Sequence, residues 1–181
     1  MGGSKPLRRL GELTLLRHAC DWAMARSDYV ALAVREAGQL FDEGLPLLID
    51  RHTGIGPISA LASAFDYALA VGREHVLVIG CDQPFLPDDL VARLLAAIGD
   101  HGAAMPTSLG REQPLATLWR ADRGALTEYL AKDGQSLWGF ARRVNAVTVE
   151  WETEPGCDPF FNINDPMALE EAERRFRRTR R

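Results

Sequence analysis

The stretch HVLVIGCDQPFL, residues 75–86, constrains the fold of this chain more than any other. It opens with an apolar, β-branched run at residues 76–79, the composition of a strand buried on both faces of a sheet. Pro84 stops the strand from continuing, because proline donates no ladder hydrogen bond. A helical pattern follows at residues 88–98. The stretch therefore predicts a buried strand that ends near Asp82 and leads into a helix.

Asp82 stands at the carboxyl end of this strand, and the pattern leaves two interpretations open. Open α/β sheets bind ligands at the carboxyl ends of their strands. A carboxylate is a hard oxygen ligand, suited to a Mg²⁺ ion that also contacts phosphate oxygens. Aspartate is also a preferred turn residue, so Asp82 could simply cap the turn before Pro84.

A second predicted strand, residues 45–49, also ends in an acidic residue, Asp50. Two strands that each end in aspartate are a stronger signal of a shared metal site than either one alone. A glycine-rich loop then leads into a helical pattern at residues 58–70, with Pro57 at the first helical position. The free amides of such a helix suit a phosphate, although an ordinary glycine-rich helix entry is the commoner explanation.

Strand and helix patterns alternate from residue 29 to residue 98, which predicts a three-layer α/β fold with a mostly parallel central sheet and helices on both faces. No repeat or linker divides the chain, so we expect one domain over residues 1–181 and no strand before residue 13. The other predicted elements are helices at 13–25, 121–131 and 136–143, a helical turn at 37–42, strands at 29–34, 103–106, 113–119 and 144–151, an aromatic-rich turn at 158–165, and a helix from Pro166.

The composition restricts the class of protein. A length of 181 residues suffices for a hydrophobic core, and a net charge of −4 argues against a surface devoted to nucleic acid. No apolar run approaches the roughly 20 residues of a membrane span, and the N-terminus lacks the apolar segment of a signal peptide. The three cysteines are scattered, so we expect reduced thiols and a cytoplasmic protein. The basic tail, residues 174–181, is expected to be a solvated helix end rather than a nucleic-acid contact.

Lys5, Asp50 and Asp82 together predict phosphate chemistry. The two carboxylates could hold one Mg²⁺, and Lys5 could neutralise phosphate charge as a point-charge donor. Nucleotidyl transfer needs little covalent help, because the incoming phosphate is already an anionic nucleophile. The lack of a Ser-His-Asp or Cys-His arrangement is therefore no objection.

Five blocks of the sequence, in order, resemble the MobA family of molybdenum cofactor guanylyltransferases, which have a Rossmann-like nucleotidyltransferase fold. The resemblance covers nearly the whole chain. The blocks are MGGSKPLRRLGELTLLRH, Asp50 with the Gly56-Pro57-Ile58 turn, CDQPFLPDDL, QPLATLW and DPFFNINDP.

The resemblance implies a role for each matched residue. Lys5 would contact the nucleotide phosphates and Asp82 would bind Mg²⁺, which makes these two the candidate catalytic residues. Asp50 would help to bind GTP and, with Asp82, the metal. The remaining candidates are the nucleotide-loop glycines Gly2 and Gly3, and the pterin-binding residues Gly56, Pro57, Asn162 and Asn164.

The implied reaction joins GMP from GTP to the terminal phosphate of Mo-molybdopterin and releases pyrophosphate. The implied cofactor is Mg²⁺, and the implied partners are GTP, molybdopterin and other molybdenum cofactor biosynthesis proteins, with no nucleic acid and no membrane. We expect a monomer or a weak oligomer. Two alternatives stay open: a cytidylyltransferase that uses CTP for the same cofactor, and a non-catalytic binding protein that keeps the fold.

The N-terminus departs from the family pattern. The family has a strand and a Leu-Ala-Gly-Gly-x-Ser-x-Arg loop before Met-Gly-x-Asp-Lys, whereas this chain begins at that methionine and has Ser4 in place of the aspartate. The absent strand would lie centrally in the sheet and leave two neighbours without ladder partners. We therefore expect the true start to lie roughly 15 residues upstream. A fully folded and active 1–181 protein would contradict this hypothesis.

Overall fold

Helices and strands alternate along most of the chain in a computed structural model that describes residues 5–35, 44–50 and 56–179. The α-helices of the described ranges are α1 (Leu15–Met24), α2 (Pro57–Ala70), α3 (Leu90–Ile98), α4 (Arg123–Ala131), α5 (Leu137–Arg143) and α6 (Pro166–Thr179). The strands there are β1 (Arg9–Leu10), β2 (Leu13–Thr14), β3 (Leu32–Val34), β4 (Leu47–Ile49), β5 (His75–Leu77), β6 (Ala103–Ser108), β7 (Arg111–Glu112), β8 (Leu118–Arg120) and β9 (Val147–Trp151).

The strands of the described ranges form three sheets. β1 and β2 make an antiparallel hairpin, and β3 pairs in parallel with β4. In the largest sheet the order is β5-β8-β6-β7, with β9 parallel to β6. β8 is antiparallel to both β5 and β6, because the short connection from β6 contains no crossover helix. β5, β6 and β9 consequently run in one direction and end at the same edge.

Two apolar clusters lie on opposite faces of this sheet. On one face, Phe140 of α5 stacks on Trp119 of β8 with ring centroids 5.5 Å apart, and residues of α2 and α4 complete the cluster. On the other face, Leu94 of α3 contacts a cluster that contains Leu118 and Trp151. Neighbouring strand residues such as Leu118 and Trp119 point to opposite faces, so one short strand supplies both clusters. The predicted three-layer α/β fold is confirmed, but the largest sheet of the described residues is mixed rather than mostly parallel, because β7 and β8 both pair antiparallel to β6.

Several predicted boundaries change for local reasons. The segment before residue 13, predicted to hold no strand, contains β1. The first helix begins at Leu15 rather than residue 13, because the Thr14 hydroxyl caps it by accepting from the Arg17 N–H at 3.1 Å. Two later helices likewise start after their caps, Asp122 and Ser136. The predicted turn at residues 37–42 lies outside the described residues.

The predicted strand at residues 113–119 is wrong in its first half. Residues Pro114–Ala116 form a 3₁₀ turn, and the strand begins only at Leu118. Proline supplies no ladder donor, which disfavours an interior strand position. Within the described ranges, no helix has both the length and the apolar character needed to cross a membrane.

Two adjacent leucines of α3 test the importance of the second cluster. Leu94 is fully buried, whereas Leu95 is 47 % exposed. We expect Leu94→Ala to lower the free energy of unfolding by about 2–5 kcal/mol, because it leaves a cavity in a packed core. Leu95→Ala, the matched control on the same helix, should cost less than about 1 kcal/mol. Urea unfolding followed by circular dichroism measures both, and equal losses would contradict the assignment of this core.

Candidate active site

Three side chains from distant parts of the chain meet beyond the carboxyl end of β5. The ammonium of Lys5 lies 2.5 Å from Oδ2 of Asp82 and donates a second hydrogen bond, 2.8 Å long, to Oδ1 of Asn164. The Lys5 side chain is 27 % exposed and the Asp82 side chain 16 %. The structure thus brings together Lys5 and Asp82, the two candidate catalytic residues, and Asn164 joins them.

The local sequence explains how Asp82 reaches this place. Its carboxylate folds back over Gly80, where any Cβ atom would collide with Oδ1 of Asp82. The carbonyl of Asp82 accepts a 2.9 Å hydrogen bond from the N–H of Ile163, which is fully buried. Gln83 is also buried, and its amide donates to the carbonyl of Phe160 at 3.5 Å. The loop after β5 is thus fixed to the C-terminal segment 158–165 by its backbone and by a side chain.

Asp158 anchors that C-terminal segment to the sheet. Its carboxylate accepts from the hydroxyl of Ser108, at the end of β6, and from the N–H of Phe160, both at 2.9 Å. The amide of Gln113 donates to the same Ser108 hydroxyl at 3.2 Å, and Arg175 donates to the carbonyl of Asp158 at 2.5 Å. Sequence reasoning missed this network. Ser108, just after one predicted strand, and Gln113, at the start of another, give no local sign that they are buried.

The two predicted pterin asparagines differ in their surroundings. Asn164 is exposed as a residue but directs its side-chain oxygen to Lys5, while Asn162 is partly buried. The intervening Ile163 points into the core against Leu10 and Leu15. In an extended segment, neighbouring side chains point to opposite sides. Because Ile163 points into the core, the asparagines before and after it lie near the surface.

As the sequence predicts, Asp50 directly follows a strand, β4, which pairs with β3. Its N–H donates to the carbonyl of Val34 at 2.9 Å. Burial raises the pKa of the Asp50 carboxyl, and the positive charge of Arg35 opposes that rise. Its Oδ1 is buried and has no hydrogen-bond partner within the described residues. A buried carboxylate oxygen without a partner is available to a ligand or cation.

Gly56 and Pro57 form the entry to α2. Gly56 has φ +74° and ψ −154°, a conformation that is essentially restricted to glycine, and Pro57 takes the first helical position. The predicted helix start is therefore confirmed. The nucleotide-loop candidates Gly2 and Gly3 lie outside the described residues.

The arrangement around Asp82 fits a divalent cation. The carboxylate already holds one cationic group, the Lys5 ammonium, at hydrogen-bond distance. No set of three or more histidine, cysteine, aspartate or glutamate side chains is gathered for a metal in the part of the chain that the structure describes. Mg²⁺ in phosphate-transfer sites is commonly held by one or two carboxylates together with substrate phosphates and water. Asp82, with or without Asp50, suits that mode of binding.

Comparisons with known proteins agree with the fold. The sequence profile of the MobA-like NTP transferase domain matches residues 1–147. A molybdenum cofactor guanylyltransferase of Rhodopseudomonas palustris is 36 % identical, over 96 % of this chain and 86 % of the relative. One from Rhodobacter capsulatus is 34 % identical, over 98 % and 90 % of the two chains.

Two solved structures share the fold at lower identity. Molybdopterin-guanine dinucleotide biosynthesis protein A from Archaeoglobus fulgidus has a TM-score of 0.71 at 18 % identity, over 96 % of this chain and 91 % of its own. The 2-C-methyl-D-erythritol 4-phosphate cytidylyltransferase of Thermus thermophilus has a TM-score of 0.72 at 22 % identity, over 97 % and 95 %. The architecture is that of the α/β nucleotidyltransferases. Within that class, the chain belongs to the MobA-like NTP transferase family.

The cysteines provide a test of the electrostatics beside Asp82. Burial, and secondarily the Asp82 carboxylate, raises the pKa of the Cys81 thiol to about 11. Alkylation requires the thiolate, so at pH 8 we expect iodoacetamide to modify Cys81 at least about 100-fold more slowly than the exposed Cys157. The rate at Cys81 should keep rising toward pH 11. Peptide mass spectrometry reads both sites, and unfolding in urea should equalise them. Equal rates in the folded protein would contradict this prediction.

Proposed function

We propose that this protein is a molybdenum cofactor guanylyltransferase, which transfers GMP from GTP to the terminal phosphate of Mo-molybdopterin and releases pyrophosphate. The observation that carries the proposal is the convergence of Lys5, Asp82 and Asn164 beyond the carboxyl end of β5. Curated relatives at 34–36 % identity bear that name and align with nearly the whole chain. The proposed partners are accordingly GTP and molybdopterin.

Each residue of the site has a task in this reaction. The ammonium of Lys5 exchanges its contact with Asp82 for a phosphate oxygen of the nucleotide, and neutralises charge there. Asp82, once free of Lys5, would hold Mg²⁺, with Asp50 as a second candidate ligand. When bound, this ion supplies charge neutralisation and orientation of the phosphates. The attacking phosphate of the pterin is already anionic, so the chain needs no general base, and positioning provides most of the rate.

Asn164 belongs on the nucleotide side of the site in this proposal. Its hydrogen bond fixes the Lys5 ammonium beside Asp82, so it acts on the nucleotide through the lysine. Asn162, Gly56 and Pro57 remain the candidates for the pterin side. The sequence analysis assigned both asparagines to the pterin. This proposal keeps Asn162 there and moves Asn164 to the nucleotide.

The first test removes the carboxylate charge. We expect Asp82→Asn to reduce the rate of GMP transfer by about 10²–10³-fold, because the variant keeps the shape but loses the cation ligand. Asp100→Asn, an exposed site in the turn after α3, is the matched control and should keep full activity. Release of pyrophosphate measures the rate with protein produced in its own source organism. Unchanged turnover in Asp82→Asn would contradict the role of Asp82, whereas retained pterin binding with no turnover in the parent protein would support the non-catalytic alternative.

A second test separates the two asparagines. Asn164→Ala should raise KM for GTP about 10-fold, because a lost hydrogen bond to a charged group costs about 1.5 kcal/mol, and it should leave KM for the pterin unchanged. Asn162→Ala should do the reverse. Asn164→Asp keeps an acceptor for Lys5 and should restore most of the GTP affinity. The opposite pattern of KM values would return Asn164 to the pterin side.

The third test concerns the choice of nucleotide. The structural similarity to a cytidylyltransferase is a similarity of fold alone, so it does not favour CTP. We expect unlabelled GTP, but not CTP at the same concentration, to displace a fluorescent GTP analogue from the protein in the presence of Mg²⁺. Equilibrium titration with EDTA as the control checks the metal requirement. Stronger displacement by CTP would identify a cytidylyltransferase.

A further inference from the structure

An exposed tryptophan stands near the carboxyl edge of the main sheet, outside the group formed by Lys5, Asp82 and Asn164. Trp138 follows the buried Leu137 in the first turn of α5, and 42 % of it is exposed. A single exposed aromatic residue needs no explanation by itself. The way in which this ring is fixed, and its position relative to Asp82, do call for one.

Two charged side chains hold the indole ring of Trp138 in place. Its Nε1–H donates to Oε2 of Glu112, in β7. The guanidinium of Arg142, one turn further along α5, lies over the ring with its Cζ atom 3.4 Å from the centroid. Because Arg142 covers one face of the indole, the other face is open to solvent. A ring that is already fixed loses little conformational freedom when a flat molecule stacks on it.

A tight turn fixes the strand that carries Glu112. Leu109 and Gly110 connect β6 to β7 and have φ values of +49° and +72°. Two consecutive residues with positive φ match the twist of a two-residue hairpin. A branched residue such as leucine rarely adopts this conformation. The carboxylate that orients Trp138 therefore stands on a short, regular hairpin.

The pairing of β6 places β7 beside the loop that contains Asp82. Ala104 and Thr107 of β6 each pair with β9 on one side, and with β8 and β7, respectively, on the other. β7 and β8 consequently lie along the same edge of β6. Since β8 pairs with β5, β7 lies next to the chain that continues beyond the carboxyl end of β5.

Leu115 provides the contact between this region and Asp82. It lies in the 3₁₀ turn Pro114–Ala116, between β7 and β8. A Cβ atom on Gly80 would meet the Asp82 carboxylate and also Cδ1 of Leu115, the latter at 3.8 Å. α5 packs against the same 3₁₀ turn. The turn thus lies between the Asp82 carboxylate and the helix that carries Trp138.

Trp138 and Lys5 approach Asp82 from different faces of the sheet. α5 covers the same face as α2, whose entry contains the pterin candidates Gly56 and Pro57. The turn that contains Lys5 packs against α1, and Trp22 of α1 contacts the cluster on the opposite face. If Lys5 binds the nucleotide phosphates, the face with Trp138 is left for the acceptor.

The chemistry of the pair defines what it can bind. The open indole face stacks on a flat conjugated ring. A carboxylate has about four lone-pair sites, and the indole N–H uses one of those on Glu112. The others suit a ring edge that has an amino group beside an amide N–H, because such an edge presents two parallel donors. Pterin and guanine both have this edge, and the position of Trp138 away from Lys5 favours the pterin.

We propose that Trp138 and Glu112 bind the ring system of the acceptor pterin. Trp138 stacks on the pterin ring, and the Glu112 carboxylate accepts from its amino group and the neighbouring ring N–H. The pterin phosphate then extends past Leu115 toward Asp82. This inference rests on the proposed function, because it takes the acceptor of GMP to be molybdopterin.

The probe for this proposal is 6-hydroxymethylpterin, whose own fluorescence reports its binding in an equilibrium titration. We expect Trp138→Leu to weaken binding about tenfold, as loss of a stacked aromatic ring does for nucleobases. Trp138→Phe keeps a stacking face and should retain most of the affinity. Glu112→Gln should also weaken binding about tenfold, because it replaces one acceptor oxygen with a donor.

Tyr29 offers a matched control. It is also 42 % exposed and also has an arginine, Arg73, over its ring at 4.4 Å, but it precedes β3 and so lies away from the carboxyl edge. Tyr29→Leu should leave pterin binding unchanged. Circular dichroism of each variant checks that the fold is retained.

A parallel titration with a fluorescent GTP analogue distinguishes the two sources of the shared ring edge. Its affinity should be the same in the parent protein, Trp138→Leu and Glu112→Gln. Loss of GTP affinity with unchanged pterin affinity would place guanine on Trp138 and overturn the proposal. Absence of pterin binding by the parent protein, or equal pterin binding by the parent and Trp138→Leu, would overturn it as well.

These titrations measure binding without turnover, so they separate this proposal from the proposed function. The expected pattern of pterin affinities in a protein that transfers no GMP would contradict only the proposed function. GMP transfer by a protein whose pterin affinity does not depend on Trp138 would contradict only the present inference.

Discussion

The contact between Lys5 and Asp82 is the interaction on which the rest of the site depends. It joins the N-terminal turn to the loop after β5, and Asn164 ties the C-terminal segment to the same ammonium. Largely buried charges are unfavourable without partners, so Lys5 and Asp82 each require the other. Gly80 has no side chain to collide with the Asp82 carboxylate, and the N–H of Ile163 donates a hydrogen bond to the carbonyl of Asp82. Together these features hold the carboxylate within reach of Lys5.

The same contact links the stability of the sheet to its chemistry. Asp82 lies in the loop after β5, and β5 pairs with β8, which carries the buried Trp119. In a sheet built this way, the elements that bury the most apolar surface also position the charged groups at the edge.

Local pattern was sufficient for much of the fold. A strand before Asp82, a strand before Asp50 and a helix at Pro57 all occur where they are predicted, because composition and proline positions act over a few residues. The first strand nevertheless ends at Leu77 rather than residue 79, and the second begins at Leu47 rather than residue 45. It failed for the β1-β2 hairpin and for Pro114–Ala116, a predicted strand that became a 3₁₀ turn. Two-residue strands have no periodicity to detect, and proline outweighs the apolar pattern of residues 113–119 because it donates no ladder hydrogen bond.

The sequence by itself determined the strand–helix alternation, the helix caps and the residues available for phosphate chemistry, since each follows from side chains that are near one another in the chain. Only the tertiary structure decided which of them meet. Lys5 and Asp82 are 77 residues apart, and Lys5 and Asn164 are 159 apart. The anchoring of Asp158 by Ser108 is likewise a contact between distant segments. Contacts of this kind arise from how the layers stack, which no local pattern of residues encodes.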